Sequence, residues 1–231
     1  MNFYKNVIEH RGKLLVRGIH DGKEYKEKID YSPTLYAITQ QQTDFQTLHG
    51  QYVKPIQFGN ISKARDFRRN YNTDNAPIFG MDRYQYQYIS DNYPNEIEYS
   101  KDHIKIFTVD IECACENGFP DVENPVEEIL AITVKNQSNK QIITWGTGEF
   151  KTDRPDVTYI RCKSEKSLIM EFMKFWIKNY PDIITGWNTK FFDIPYLMNR
   201  ICHIVDEKVI KRFSPWNLVE RESIVVRGRP Q

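Results

Sequence analysis

Little in this sequence suggests a stapled, metal-clustered or membrane-spanning chain. Its four cysteines among 231 residues (Cys113, Cys115, Cys162, Cys202) show no C-x-x-C pair and no zinc-ligand spacing. That argues against a disulfide scaffold and a structural zinc site, and leads us to expect a reduced, cytoplasmic setting. No signal-peptide pattern and no apolar run of membrane length are found, so no membrane partner is expected. The five histidines are scattered and form no ligand set, and the formal net charge of +1 gives no global basic character for polyanion binding.

What is present is organised locally. The apolar run Ile104–Val109 ends in Asp110-Ile111-Glu112. Alternate side chains of a strand share a face, so Asp110 and Glu112 are expected side by side at a sheet edge. Carboxylates held together repel unless one is protonated or a cation lies between them, and hard divalent ions prefer such oxygen ligands. Half of a metal site is one reading; two surface acids at a strand end is the other. The stretch 110–128 adds to the first, with seven acids and no Lys or Arg.

A second apolar strand, Ile183-Ile184-Thr185, breaks at Gly186 and passes through Asn188 into a helix expected over 192–205. Ile194, Leu197, Ile201 and Val205 give that helix its spacing, and Pro195 suits its first turn. Asp193 at its start is either an ordinary helix cap or a site carboxylate.

Two structural regions are expected: 1–103, a small mixed α+β domain, and 104–231, an α/β domain. In the first, a hairpin turns at Asp21-Gly22, a helix covers 62–71, and a tyrosine-rich strand is read at Tyr84–Ile89. That strand would put Tyr84, Tyr86 and Tyr88 on one face, as a packed sheet surface or a stacking platform for bases. The helix carries four basic residues against one acid over 62–71, either a phosphate-facing patch or a solvated face. In the second, strands are expected at 104–112, 127–135, 141–146 and 157–161. A helix at 165–179 with a buried stripe at Leu168, Ile169, Phe172, Phe175 and Trp176 follows, then the strand at 182–186 and the final helix.

D-I-E after an apolar strand, followed downstream by Gly186-Trp187-Asn188 and Phe192-Asp193-Ile194-Pro195-Tyr196, resembles the first two exonuclease motifs of family B DNA polymerases, particularly those of T4-type bacteriophages. Tyr31-Ser32-Pro33-Thr34, Gly80-Met81-Asp82, Gly118-Phe119-Pro120-Asp121 and Tyr196-Leu197-Met198-Asn199-Arg200 extend the likeness along the chain. The resemblance implies an N-terminal domain of that polymerase type, then a ribonuclease-H-like 3′→5′ exonuclease domain cut before its third motif, Tyr-x-x-x-Asp. It implies proofreading hydrolysis of 3′-terminal nucleotides by a two-metal mechanism with Mg²⁺ or Mn²⁺ on Asp110, Glu112 and Asp193, all three catalytic. Phe119 and Asn188 are the implied DNA contacts, Phe119 at the frayed 3′ end and Asn188 through the turn that presents Asp193.

The implied partners are DNA (a single-stranded 3′ end or primer–template), the remainder of the polymerase or a second polymerase chain, and replication accessory proteins. The setting is the host cytoplasm for a phage-encoded chain. An excised fragment and one piece of a split polymerase both remain open, as does a non-catalytic nucleic-acid-binding or polymerase-docking fragment. Ser223–Arg227 has strand character but only four residues after it, so its returning strand is expected to be missing, with 217–231 mobile or paired to another copy.

Overall fold

A computed structural model describes residues 1–73 and 77–221 and the backbone pairing of Val225–Val226 with Arg229–Pro230. The chain forms two compact units, Met1–Ser100 and Lys101–Gln231.

The first unit opens with an antiparallel meander of β1 (Phe3–His10), β2 (Lys13–His20) and β3 (Lys23–Ile29). Both of its turns are left-handed pairs, Arg11-Gly12 at φ 51 and 75 and Asp21-Gly22 at φ 49 and 75. That conformation matches the twist of the flanking strands. A second sheet places β4 (Thr34–Ile38) between β5 (Val53–Gln57) and β6 (Ile78–Phe79), with helices α1 (Ile61–Thr73) and α2 (Tyr84–Asn92) completing the unit. Leu14, Val16, Leu35, Ile61, Ala64 and Tyr84 are among its core residues.

The expected strand at Tyr84–Ile89 is corrected: these residues begin α2. Tyr84 and Tyr88 satisfy both a period of two and an i, i+4 helical face, so alternation alone does not decide between them. Burial of Tyr84 and Tyr88 selects the helix and leaves Tyr86 48% exposed, so the three rings form no common platform. Gln87 ties α2 to β4, donating from Nε2 to the Thr34 carbonyl (2.7 Å) and accepting from the Thr34 amide (3.0 Å). The basic helix α1 is largely engaged within the chain. Arg65 pairs with Glu9 at 2.6 Å, Arg69 pairs with Asp66, and Arg68 donates to the Gly80 carbonyl.

The second unit is built on a five-stranded sheet in the order β10-β9-β8-β7-β11. Strands β7 (Ile106–Cys113), β8 (Ile129–Asn136) and β9 (Ile142–Gly146) are antiparallel neighbours. β10 (Val157–Arg161) joins β9 in parallel, and β11 (Ile183–Thr185) joins β7 in parallel. Helix α3 (Glu165–Asn179) starts from a reciprocal cap between Ser164 and Ser167. Helix α4 (Asp193–Ile204) and the short α5 (Glu207–Ile210) follow. Phe107, Val109, Ile132, Val134 and Trp145 from the sheet pack with Leu168, Ile169, Phe172, Trp176, Leu197 and Ile201 from the helices. This is a mixed α/β layer arrangement with the helices on the odd-numbered face of β7.

Near the C-terminus, Val225–Val226 (β12) pairs antiparallel with Arg229–Pro230 (β13). The expected missing return is corrected at those positions, because Arg229–Pro230 pairs with Val225–Val226. The remainder of 222–231 lies outside the described residues.

Candidate active site

The site begins with the alternation of β7. Phe107, Val109 and Ile111 are buried at 2%, 1% and 6% exposure, whereas Asp110 and Glu112 are exposed. The two carboxylates therefore share the face of the sheet opposite the core. On one side β7 is paired to β8 from Phe107 to Cys113, but on the other β11 covers it only from Ile106 to Thr108. Among the described residues that edge has no strand partner beyond Thr108, and buried backbone groups there need another acceptor. Asp193 supplies it: the amide of Ile111, between the two exposed acids, donates to Asp193 Oδ1 at 3.1 Å.

The turn from β11 to α4 is shaped for this reach. Asn188 adopts φ 55, a left-handed conformation that Asn tolerates, and its carbonyl accepts from the amides of Phe191 (2.9 Å) and Phe192 (3.0 Å). The Asn188 contribution is thus through the main chain, and its side chain is exposed. Asp193 is the first residue of α4 behind Phe192 at the N-cap, which makes no side-chain cap. Its side chain is thus turned to β7 rather than used as a conventional cap.

Gly186 passes so close to β7 that an added Cβ would lie 2.6 Å from the Val109 carbonyl and 2.0 Å from Thr189 Oγ1. Because the first of these is backbone, relief requires the turn to move. Gly186→Ala is expected to cost about 1–3 kcal/mol in chemical denaturation and to speed hydrogen exchange at Ile111. Unchanged exchange at Ile111 would show that the turn and the Asp193 contact are independent.

Asp193 is only 4% exposed. Burial raises its carboxyl above the ordinary range, the amides of Ile111 and Asp193 itself oppose that rise, and the negative charge of Asp110 adds to it. The two acids are thus electrostatically linked. A carboxyl whose folded pKa is raised contributes stability that is present below the unfolded value and lost as pH rises through the folded value. Asp193→Asn keeps an acceptor for Ile111 without the buried charge. In chelator at neutral pH it is expected to raise Tm by a few degrees, the gain disappearing towards about pH 3, below the ordinary carboxyl range. A lower Tm at neutral pH would contradict this account.

Glu127 is used internally. Its carboxylate accepts from the Asn117 side chain (2.8 Å) and from the amides of Asn117 (2.9 Å) and Glu116 (3.3 Å). The Asn117 side chain first, and then these amides, hold it below the usual carboxylate range. Burial pushes the Cys113 thiol up to about 12. Among the described residues no three Asp, Glu, His or Cys side chains converge as a ready-made metal cage.

Exposed rings stand on the loop after β7 and on the turn before α4. Phe119 is 85% exposed, with its ring centroid 5.5 Å from that of Phe192, which in turn stacks on Tyr196 at 5.6 Å. Trp187 and Phe191, on the turn before α4, are also exposed, and Lys190 Nζ lies 5.8 Å from the Phe191 centroid. Sequence reasoning quoted Trp187 in its motif but gave neither it, Phe191 nor Lys190 a role; a run of aromatic residues at a strand-to-helix turn, where none is needed for the core, was the available signal. It also gave no role to Arg200 or Glu165, which brace the loop after β7.

Comparison with known proteins fits this geometry. The DNA polymerase family B exonuclease domain matches residues 47–226. The DNA-directed DNA polymerase of Enterobacteria phage T4 is 28% identical across 96% of this chain, and that of Escherichia phage RB69 is 30% identical across 92%. The DNA polymerase delta catalytic subunit of Dictyostelium discoideum is 35% identical across 55% of it. The chain spans 28% and 27% of the length of the two phage relatives. With a ribonuclease-H-like sheet order and the family's domain matched over most of its length, this chain belongs to the family B DNA polymerases, within their exonuclease domain.

Proposed function

We propose that this chain is the N-terminal and proofreading portion of a DNA-directed DNA polymerase, removing nucleotides from single-stranded 3′ ends. The observation that carries the reading is the hydrogen bond from Ile111 to Asp193, which brings the start of α4 to the backbone between Asp110 and Glu112. Exonuclease domains of this family use divalent metal ions. The donor chemistry suits such ions: Asp110, Glu112 and Asp193 are hard oxygen donors, Asp193 is hydrogen-bonded to the strand that carries the other two, and a cation drawing the three together would relieve the repulsion between Asp110 and Asp193.

Asp110, Glu112 and Asp193 would hold Mg²⁺ or Mn²⁺, and when bound, paired ions activate water and stabilise the leaving oxygen of a phosphodiester. The protein's own part is positional. β7 presents Asp110 and Glu112 to solvent on one face, the Ile111 amide fixes Asp193, and Phe119 offers an exposed ring on which a terminal base can stack. The partners in this reading are the 3′ end of a primer and the rest of the polymerase, on the same or a second chain, with replication accessory proteins beyond.

The test is a 5′-labelled single strand incubated with the chain and Mn²⁺ or Mg²⁺. Stepwise shortening from the 3′ end is expected, abolished by chelator. Binding without shortening would make the chain a non-catalytic DNA-binding module and overturn the hydrolytic reading.

A further inference from the structure

One face of α4 serves two purposes. Asp193, Tyr196 and Arg200 are spaced i, i+3, i+7 and so lie along the same side of the helix. While Asp193 reaches β7, the positions further along grip the loop that carries Phe119. Tyr196 Oη donates to the Glu127 carbonyl at 2.7 Å, and Asn199 Nδ2 to the Val122 carbonyl at 2.7 Å. Arg200 Nη1 donates to the carbonyls of Pro125 (2.8 Å) and Val126 (2.9 Å). The rest of the guanidinium forks onto Glu165, Nε to Oε1 and Nη2 to Oε2, each at 2.7 Å, and Glu165 Oε1 also accepts the amide of Ile129 at 2.8 Å.

Arg200 and Glu165 are 6% and 8% exposed. A buried ion pair seldom outperforms apolar packing for stability alone. This one satisfies backbone groups on both ends of the loop's last turn, which an apolar pair does not do. From there the Glu127 carboxylate returns to the amides of Glu116 and Asn117, three and two residues before Phe119.

We infer that Arg200, oriented by Glu165, is a positioning residue that sets where Phe119 stands and so how firmly a 3′-terminal base is gripped, without contacting the carboxylates of β7. The inference rests on the proposed reading of Phe119 as a DNA contact.

The test uses the full 231-residue chain with Arg200→Lys, which keeps the buried charge but loses the planar fork. Hydrogen exchange at the Glu116 and Asn117 amides is expected to quicken at least tenfold, with the Ile111 amide unchanged. Equal acceleration at all three would mean a general loss of stability and overturn the inference, as would no acceleration at the first two.

The second readout is the fluorescence of a single-stranded oligonucleotide carrying 2-aminopurine at its 3′ end, in chelator. Arg200→Lys and Phe119→Ala are each expected to weaken binding about tenfold, and the double variant no further, because one acts through the other. Additive losses overturn the inference. Wild-type affinity in Phe119→Ala overturns it too, but quickened exchange at Glu116 and Asn117 would then assign the failure to the reading of Phe119 as a DNA contact rather than to the Arg200 grip.

Discussion

If the proposed function holds, Asp110→Asn is expected to slow release of 3′-terminal nucleotides by roughly 10³-fold, the effect of losing several kcal/mol of transition-state stabilisation at the proposed metal-dependent centre. Its effect on stability should be small, within about 0.5 kcal/mol, as for an exposed side chain with no structural task. The direction of that small effect is also set: after burial, the negative charge of Asp110 helps raise the neighbouring carboxyl of Asp193, so its neutralisation relieves a repulsion. Single-turnover release from a labelled single strand, alongside a thermal melt in chelator, separates the two consequences. An enzyme that keeps its rate after Asp110→Asn does not use β7 for catalysis. A variant that loses rate only because it has unfolded would show a large fall in Tm, contrary to the exposed position of the residue.

The contrast between Asp110 and Asp193 shows what the sequence made legible. The alternation through β7 identifies the faces of Asp110 and Glu112 from local pattern alone, because a strand has a fixed period and Phe107, Val109 and Ile111 are apolar. The start of α4 is equally local, through the turn at Asn188 and Pro195 in the first helical turn. The task of Asp193 is not local. It arises because β11 pairs with β7 only as far as Thr108 and leaves the Ile111 amide to be satisfied by another element. Strand pairing across this separation leaves no mark in the hydrophobic pattern.

The tyrosine run fails for a related reason. Its pattern admits two periods, and only the packing of Tyr84 and Tyr88 into a core built by other segments chooses between them. Acidity in 110–128 misleads in a third way. Counted as charge, Glu127 resembles its neighbours, but in the fold it is buried and bound by three N–H donors. Which acids face solvent is a property of the loop's tertiary bracing, and Arg200, the residue that supplies much of it, lies on a distant helix.

That bracing leads to the largest expected effect on stability. Glu165→Ala should destabilise the second unit by about 3–5 kcal/mol, the usual consequence of removing one partner of a buried ion pair. Two groups are stranded at once. The Arg200 guanidinium keeps its donors to Pro125 and Val126 but loses the carboxylate at Nε and Nη2. The amide of Ile129 loses its acceptor at a residue with 0% exposure, where water cannot readily replace it. Glu165→Gln retains an acceptor oxygen for Ile129 but not the charge, so its cost should fall between those of wild type and alanine. Combining Glu165→Ala with Arg200→Met removes the stranded charge along with its partner, and should cost less than the sum of the two single changes. Urea denaturation of wild type, Glu165→Ala, Glu165→Gln, Arg200→Met and the double variant measures all of this. A cost below about 1 kcal/mol for Glu165→Ala, within the range of an ordinary exposed ion pair, would mean that the loop and α4 are held by their other contacts. The Arg200–Glu165 pair would then be incidental to the geometry of the site.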